Sequence, residues 1–352
     1  MAVTRIGRRG LLLSLVAAAG MFGGPAWSDG PASPASGTTV PGSLRPRAAA
    51  GFVLSEYATG FVRPVALLAL PNGDLLVEEG GGAGVSGRAL ILRDSDRDGS
   101  AEQRALLLAD LVGPAAWLLR RDRLYRAHAA GVDRCVFLVG QLRPATACRA
   151  IAGLDPPAHG GAVALAMYPD EARLLLLRGD TVVSLLPDGT ALESAPAARG
   201  GRPLALALEP RAARPWVATA SPASAGAAAN DVVVRLEALE PDDADSTPFT
   251  LPGTPVALLF YRRRALPAEL HGAALLALAP ARGDDPHPAR VVAVPFAAGR
   301  PAGNARDLLV GRGVAGAGDA AFEPTALAVL NDGAVVVADA ASGTLWRLDY
   351  VP

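Results

Sequence analysis

The stretch Pro64–Val77 reads Pro-Val-Ala-Leu-Leu-Ala-Leu-Pro-Asn-Gly-Asp-Leu-Leu-Val. A similar stretch, Pro324–Val337, reads Pro-Thr-Ala-Leu-Ala-Val-Leu-Asn-Asp-Gly-Ala-Val-Val-Val. In both, an apolar run of strand length is followed by an Asn/Asp-Gly turn and a second apolar run. Two such runs around a turn of this type predict a β-hairpin.

The same pattern recurs along the chain in less perfect copies, which begin at Pro114, Gly161, Pro203 and Pro255. Together with Pro64 and Pro324 this gives six starts, with spacings near the roughly 40 to 50 residues of a four-stranded propeller blade. Blades packed in a ring bury both faces of each sheet, which explains why the runs are almost continuously apolar. The sequence therefore predicts an all-β fold, a six-bladed β-propeller, over residues 51–352.

The first residues have the pattern of an export signal. A basic segment with Arg8-Arg9 precedes about a dozen apolar residues, and Ala26-Trp27-Ser28 offers a cleavage site with small residues. We expect a signal peptide at 1–28, of the Sec or the twin-arginine type, and a flexible lead-in at 29–50. No later segment reaches membrane-spanning length without a charge or a proline, so the mature protein is predicted to be periplasmic or secreted.

Composition excludes several classes of function. The chain has 352 residues and a formal net charge of -1, which does not favour nucleic acid as a partner. All 33 basic residues are arginine, so a Schiff-base lysine, a P-loop lysine and a Ser-Lys dyad are excluded.

A candidate metal loop lies at Asp94-Ser95-Asp96-Arg97-Asp98-Gly99. Carboxylates at alternate positions before a glycine turn can wrap a hard cation such as Ca²⁺. An EF-hand would need glutamate at loop position twelve, which is Ala105 here, so Asp94, Asp96 and Asp98 are candidate ligands of a calcium loop of another kind. The alternative is a solvated acidic turn.

Three further features remain open from the residues alone. Cys135 and Cys148 form one disulfide in an oxidising compartment, or stay as two buried thiols. The pair Glu78-Glu79 suits acid/base work or an exposed strand end. His159, framed by Pro156-Pro157 and Gly160-Gly161, is a general base in the central channel or a surface or packing histidine.

The segment Gly51–Gly60, the turn Pro71–Leu75 and the Asp94–Gly99 loop together resemble the beginning of the L-sorbosone and soluble glucose dehydrogenase family. Two later segments, Val291–Phe296 and Pro324–Arg347, are similar to the last blades of that family. The resemblance implies a six-bladed propeller that uses pyrroloquinoline quinone (PQQ) and Ca²⁺ to oxidise an aldose or a sugar aldehyde.

The resemblance also implies site residues. His159 matches, with a one-residue slip, the histidine that removes the sugar hydroxyl proton, while Arg202 and Arg282 match cofactor-binding positions. Other positions depart from the family: Ala162 or Val163 stands where the family has an arginine, and Glu323 replaces another one. Two functions therefore stay open, a PQQ-dependent sugar dehydrogenase and a non-catalytic propeller that binds a carbohydrate or a protein partner.

Overall fold

The computed structural model describes residues 45–80, 86–113, 115–154, 163–197, 201–222, 232–239, 248–280, 287–312 and 322–352. All of them belong to one compact unit, Gly37–Pro352. The predicted signal peptide (1–28) and most of the predicted lead-in lie outside the described residues. No helix in the described part of the chain is long and apolar enough to cross a membrane.

The described residues form strands joined by turns, with one short 3-10 turn at Ala268–Leu270. The first two strands are β1 (Arg47–Ala48) and β2 (Phe52–Ala58). Blade 1 follows with β3 (Pro64–Ala69), β4 (Leu75–Glu79), β5 (Gly87–Arg93) and β6 (Gln103–Leu111). Blade 2 has β7 (Ala116–Arg120), β8 (Arg123–His128), β9 (Gly131–Val136) and β10 (Arg149–Gly153).

The next two blades repeat this order. Blade 3 has β11 (Val163–Met167), β12 (Leu174–Arg178), β13 (Thr181–Leu185) and β14 (Ala191–Pro196). Blade 4 has β15 (Arg202–Leu208), β16 (Pro215–Pro222), β17 (Val232–Ala238) and β18 (Phe249–Pro252).

The last two blades include strands from the beginning of the chain. Blade 5 has β19 (Thr254–Phe260), β20 (Ala274–Ala279), β21 (Arg290–Val294) and β24 (Arg306–Val310), with a small hairpin of β22 (Phe296–Ala297) and β23 (Arg300–Pro301) before β24. Its edge is extended by β1, which the sequence had placed in the lead-in. Blade 6 has β25 (Pro324–Val329), β26 (Val335–Asp339) and β27 (Thr344–Tyr350), and β2 is its fourth strand.

The prediction of a six-bladed propeller is therefore confirmed. Each predicted start lies within two residues of the first strand of a blade. The innermost strands contact one another around a closed ring, from β3 through β7, β11, β15, β19 and β25 back to β3. Pairing of β2 with β27 joins the N-terminal strand to the C-terminal one, so the two ends of the domain meet in blade 6.

The hydrophobic core lies between the blades. Six buried clusters fill the six seams between neighbouring blades, one cluster in each seam. In the seam of blades 6 and 1, for example, Leu75 and Val77 pack against Val336 and Leu345, all of them fully buried. Because both faces of every sheet are covered in this way, the strands need apolar residues at successive positions.

The Cys135–Cys148 disulfide forms, which decides between the two readings of these cysteines. It joins the end of β9 to the residue before β10 and so closes the turn between the two outer strands of blade 2. Cys135 is buried against Leu124 and Phe137.

Candidate functional site

Antiparallel pairing gives the ring two distinct faces. We call the face at which the innermost strands begin the upper face, and the face at which they end the lower face. Contacts across the seam of blades 6 and 1 show that these two blades share this orientation. The Thr325 hydroxyl donates to Pro64 O (2.6 Å) on the upper face, and Asn331 Nδ2 donates to Pro71 O (2.8 Å) on the lower face.

Two of the three residues that the family resemblance implied for sugar and PQQ lie outside the described residues. They are His159 and Arg282. The strands that flank them are described: β10 ends and β11 begins at the upper face, as do the end of β20 and the beginning of β21. The chain connections that carry both residues therefore start and finish on the same face.

Arg202 is the third of these residues, and it is described. It is exposed, it opens β15 at the upper face, and its side chain makes no hydrogen bond or ion pair with any described residue. Gly201 before it has a φ of +79°, and a Cβ there would collide with the Ser221 hydroxyl and Ala220 O. Only glycine fits this turn without strain. The turn therefore fixes the backbone position from which the Arg202 side chain extends.

Two more charged residues stand directly before innermost strands at the same face. Arg63 precedes β3 in blade 1, across the ring from blade 4, and is exposed without a side-chain partner in the described part of the chain. Glu323 precedes β25 in blade 6 and is also exposed, while its backbone N–H donates to Asp339 Oδ1 (2.9 Å). Among the described residues at the start of the innermost strands, the upper face thus offers the guanidinium groups of Arg63 and Arg202 and the carboxylate of Glu323.

Glu78 and Glu79 are buried, so the reading of this pair as an exposed strand end is wrong. Glu78 Oε1 accepts from Arg126 Nη2 at 2.9 Å, and its Oε2 accepts from Trp117 Nε1 at 2.5 Å. Glu79 accepts from Val62 N at 2.7 Å and pairs with Arg88. The neighbouring blade supplies Arg126 and Trp117, so Glu78 joins blades 1 and 2 and is not free for acid/base work.

His128 is a described histidine of the upper face, at the end of β8 and beside the turn that leads into β9. Its Nδ1 accepts from Ala130 N (3.3 Å), and its Nε2 lies 3.3 Å from Asp133 Oδ2. A ring nitrogen that accepts a backbone N–H carries no proton, so Nε2 donates to Asp133. Both ring nitrogens of His128 are therefore engaged in contacts within blade 2.

The lower face carries the acidic loop between β5 and β6. Oxygens of Asp94, Asp96, Asp98 and Glu102 lie within 4.8 Å of one another. Asp94 Oδ2 accepts from Gly99 N (3.0 Å), and Glu102 Oε2 accepts from Ser95 N (2.9 Å). The structure brings the three predicted ligands together and adds Glu102, which the sequence analysis missed. Its place at loop position nine, where EF-hands often carry a ligand, was the available signal.

A polar cleft of about 700 Å³ opens beside this loop at the seam of blades 6 and 1. Its lining includes Tyr57, Arg93, Asp94, Asn331, Asp332 and Arg347. Burial and the negative charge of Asp94 raise the pKa of Tyr57. Burial lowers the pKa of Arg347, but hydrogen bonds to Asp349 and Asp332 outweigh it and hold the pKa above the usual arginine value. Both groups therefore keep their protons, so the Tyr57 hydroxyl and the Arg347 guanidinium remain hydrogen-bond donors.

The acidic loop is on the face opposite to the strand ends that flank His159 and Arg282 and opposite to Arg202. A calcium ion in this loop would be separated from the upper face by the length of the innermost strands. It is therefore a different site from any calcium that a cofactor on the upper face would bind.

The fold is similar to that of several solved structures. One is the holo form of the pyranose dehydrogenase PQQ domain from Coprinopsis cinerea, with a TM-score of 0.70 and 15% identity over 87% of this chain and 97% of that one. Another is the calcium structure of the carbohydrate-active enzyme family AA12 protein of Trichoderma reesei. Its TM-score is 0.68, with 15% identity over 88% of this chain and 98% of that one. A third is the PQQ-bound aldose sugar dehydrogenase of Streptomyces coelicolor. Its TM-score is 0.56, with 15% identity over 86% of this chain and 99% of that one.

These likenesses confirm the resemblance at the level of the fold: the structural neighbours are six-bladed propellers that include PQQ-dependent sugar dehydrogenases. No protein-family model matches the chain, and no curated protein matches it. The fold is thus shared with these enzymes, while the chemistry has to be argued from the residues of the upper face.

Proposed function

We propose that this protein is a PQQ-dependent sugar dehydrogenase whose site lies on the upper face of the propeller. An aldose or a sugar aldehyde is the substrate class. The observation that carries the proposal is Arg202, an exposed guanidinium that no described residue neutralises, at the start of an innermost strand. The PQQ-bound fold neighbours, one of them an aldose sugar dehydrogenase, support the choice of cofactor and substrate.

The described residues of the upper face fit an anionic cofactor in part. PQQ carries three carboxylates. Arg202 and Arg63 can each offer one of them a charge-assisted contact worth about 1.5–3 kcal/mol, which leaves the third without a described cation. Glu323 opposes the cofactor, because a carboxylate at the same face repels its negative charge. The fit therefore depends on few cations, and each of them should contribute measurably to binding.

The residues of this chain then have separable tasks. Arg202 and Arg282 bind carboxylates and orient the cofactor. His159 takes the proton from the sugar hydroxyl at the carbon that is oxidised. PQQ, when bound with Ca²⁺, supplies the acceptor for the hydride that leaves this carbon.

A second function is favoured by one specific observation, the exposed carboxylate of Glu323 at the upper face. Together with the missing arginine at Ala162 or Val163, it suits a propeller that has lost the cofactor. Such a protein would be a non-catalytic carbohydrate-binding or protein-binding propeller. The two functions differ in whether PQQ binds.

We further propose that the protein acts outside the cytoplasm. The basic and apolar pattern of residues 1–28 supports export. The Cys135–Cys148 disulfide supports it as well, because such bonds persist in oxidising compartments and are rare in the cytosol.

Activity with a redox dye tests the dehydrogenase directly. We expect the protein, loaded with PQQ and Ca²⁺, to reduce the dye with an aldose or a sugar aldehyde. His159→Ala should lower kcat about 100-fold or more, because a general base contributes typically 10²–10⁴-fold. His271→Ala is the matched control, since the His271 ring lies between β19 and β20 near the lower face and bonds to Leu266 O.

Dye reduction that survives unchanged in His159→Ala would remove this residue from the mechanism. Wild-type protein that reduces no dye with any aldose, although it binds PQQ, would contradict the proposed substrate class. Failure to bind PQQ at all would favour the non-catalytic function.

A further inference from the structure

The acidic loop of blade 1 holds the strand that closes the ring. Ala101 N, in the loop, donates to Tyr57 O of β2 at 2.8 Å. At the start of β6, Arg104 donates to Thr59 O, and its guanidinium lies 4.6 Å from the centre of the Phe61 ring. Since β2 belongs to blade 6, the loop and the start of β6 connect the first blade to the closing one.

Two polar atoms beside this loop are buried without a partner in the described structure. The Tyr57 side chain lines the same cleft as Asp94 and is only 1% exposed, yet its hydroxyl makes no hydrogen bond. Asp94 Oδ1 is also buried and unpaired, although Oδ2 of the same carboxylate is bonded to the loop backbone. A buried polar group without a partner costs free energy, so both atoms point to a ligand that is part of the native site.

We propose that a calcium ion bound by Asp94, Asp96, Asp98 and Glu102 locks the first blade to the closing blade of the propeller. Asp94 Oδ1 is then an inner ligand of the ion. The Tyr57 hydroxyl donates to a water molecule of the ion's coordination shell and is thereby satisfied. The ion fixes the loop whose Ala101 N donates to β2, and in this way it stabilises the closed ring.

The chemistry of the donor set selects calcium. Four carboxylates that each place one oxygen within 4.8 Å of the others repel one another unless a cation lies between them. Carboxylate oxygens are ligands for hard cations. Ca²⁺ accepts six to eight oxygens in flexible geometry, so four carboxylates completed by backbone oxygens or water suit it better than the small and strictly octahedral Mg²⁺. Nitrogen or sulfur ligands, which zinc prefers, are absent from the described part of this cluster.

The proposal does not rest on the dehydrogenase function, because the loop is on the lower face. Loss of calcium binding here would leave PQQ binding on the upper face to be tested separately. The two proposals can therefore fail independently.

Calorimetric titration of the full mature protein with Ca²⁺ alone, without PQQ, is the first test. We expect one site in the wild type and at least a tenfold weaker one in Asp96→Asn. Asp188→Asn is the matched control: Asp188 is an exposed aspartate in the corresponding turn of blade 3, where it accepts from Thr190 N, and its loss should leave the titration unchanged. No binding in the wild type, or equal binding in Asp96→Asn, would overturn the site.

Hydrogen exchange tests the lock itself. Saturating Ca²⁺ should slow amide exchange at residues 95–102 and also in β2, and should raise the Tm by about 3–5 °C. In Asp96→Asn both effects should vanish. Calcium that binds and slows exchange in the loop, but leaves β2 and the Tm unchanged, would overturn the coupling to ring closure.

Tyr57→Phe separates a role beside the ion from simple packing. Without calcium this variant should be at least as stable as the wild type, because it lacks the unpaired buried hydroxyl. Its gain in Tm on adding Ca²⁺ should therefore be smaller than that of the wild type. An equal gain in both proteins would contradict the contact between Tyr57 and the ion's water shell.

Discussion

At the scale of single residues, Glu78 and Arg126 form a buried ion pair across the seam of blades 1 and 2. Its side chains are 1% and 7% exposed, and they come from different blades. We expect Arg126→Met to lower the free energy of unfolding by about 3–5 kcal/mol, because it leaves an uncompensated charge on Glu78. Urea unfolding measures this loss.

The control for this prediction is a solvent-exposed ion pair of the same protein. Arg306 and Glu269 are about half exposed, so Arg306→Ala should leave the urea midpoint of unfolding almost unchanged. The double variant Glu78→Leu/Arg126→Met should regain most of the stability that Arg126→Met loses. If Arg126→Met were as mild as Arg306→Ala, the buried pair would not hold the seam.

The residue scale is also where sequence reasoning reached its limit. The spacing of Asp94, Asp96 and Asp98 predicted that they share a loop, because all three belong to one local turn. Glu102 lies four positions after Asp98, directly before β6, and only the folded loop brings its carboxylate close to the other three. Glu78 was misread because its partners are nearly 40 and 50 positions away, on the next blade, and spacing along the chain does not show which side chains meet across a seam.

At the scale of elements, the disulfide between Cys135 and Cys148 constrains the turn between β9 and β10. The cysteines are 13 residues apart, and closing a loop of about this length lowers the entropy of the unfolded chain by the equivalent of about 3 kcal/mol. We expect the double variant Cys135→Ser/Cys148→Ser to lose roughly this amount in urea unfolding.

Reducing agent provides the control for this element. It should destabilise the wild type by a similar amount and leave the double variant unchanged. A wild-type protein whose unfolding is unaffected by reduction of the bond would contradict the assignment of this stability to the loop.

Elements were the level that the sequence predicted best. The six strand starts were found because proline, glycine and Asn/Asp-Gly turns separate short apolar runs, which is a local property. The sequence did not predict that β2 belongs to blade 6, because β2 pairs with β27, which lies almost 300 residues further along the chain. Periodicity reveals the repeated unit but not the strand exchange that closes the ring.

At the scale of the whole molecule, the two faces of the propeller carry different charged groups. In the part of the chain that the structure describes, the upper face carries Arg63 and Arg202 without side-chain partners, and it also carries the strand ends that flank the connections containing His159 and Arg282. The lower face carries four clustered carboxylates and a polar cleft. An anionic cofactor is therefore expected on the upper face and a cation on the lower one.

The most direct test of the proposed function is calorimetric titration of the mature protein with PQQ in millimolar Ca²⁺, comparing Arg202→Ala with Arg211→Ala. Both arginines belong to blade 4, but Arg211 lies in the turn after β15 on the lower face. We predict saturable binding at or below micromolar PQQ, weakened about tenfold or more in Arg202→Ala and unchanged in Arg211→Ala. No binding by the wild type, or an equal loss in both variants, would contradict a PQQ site on the upper face.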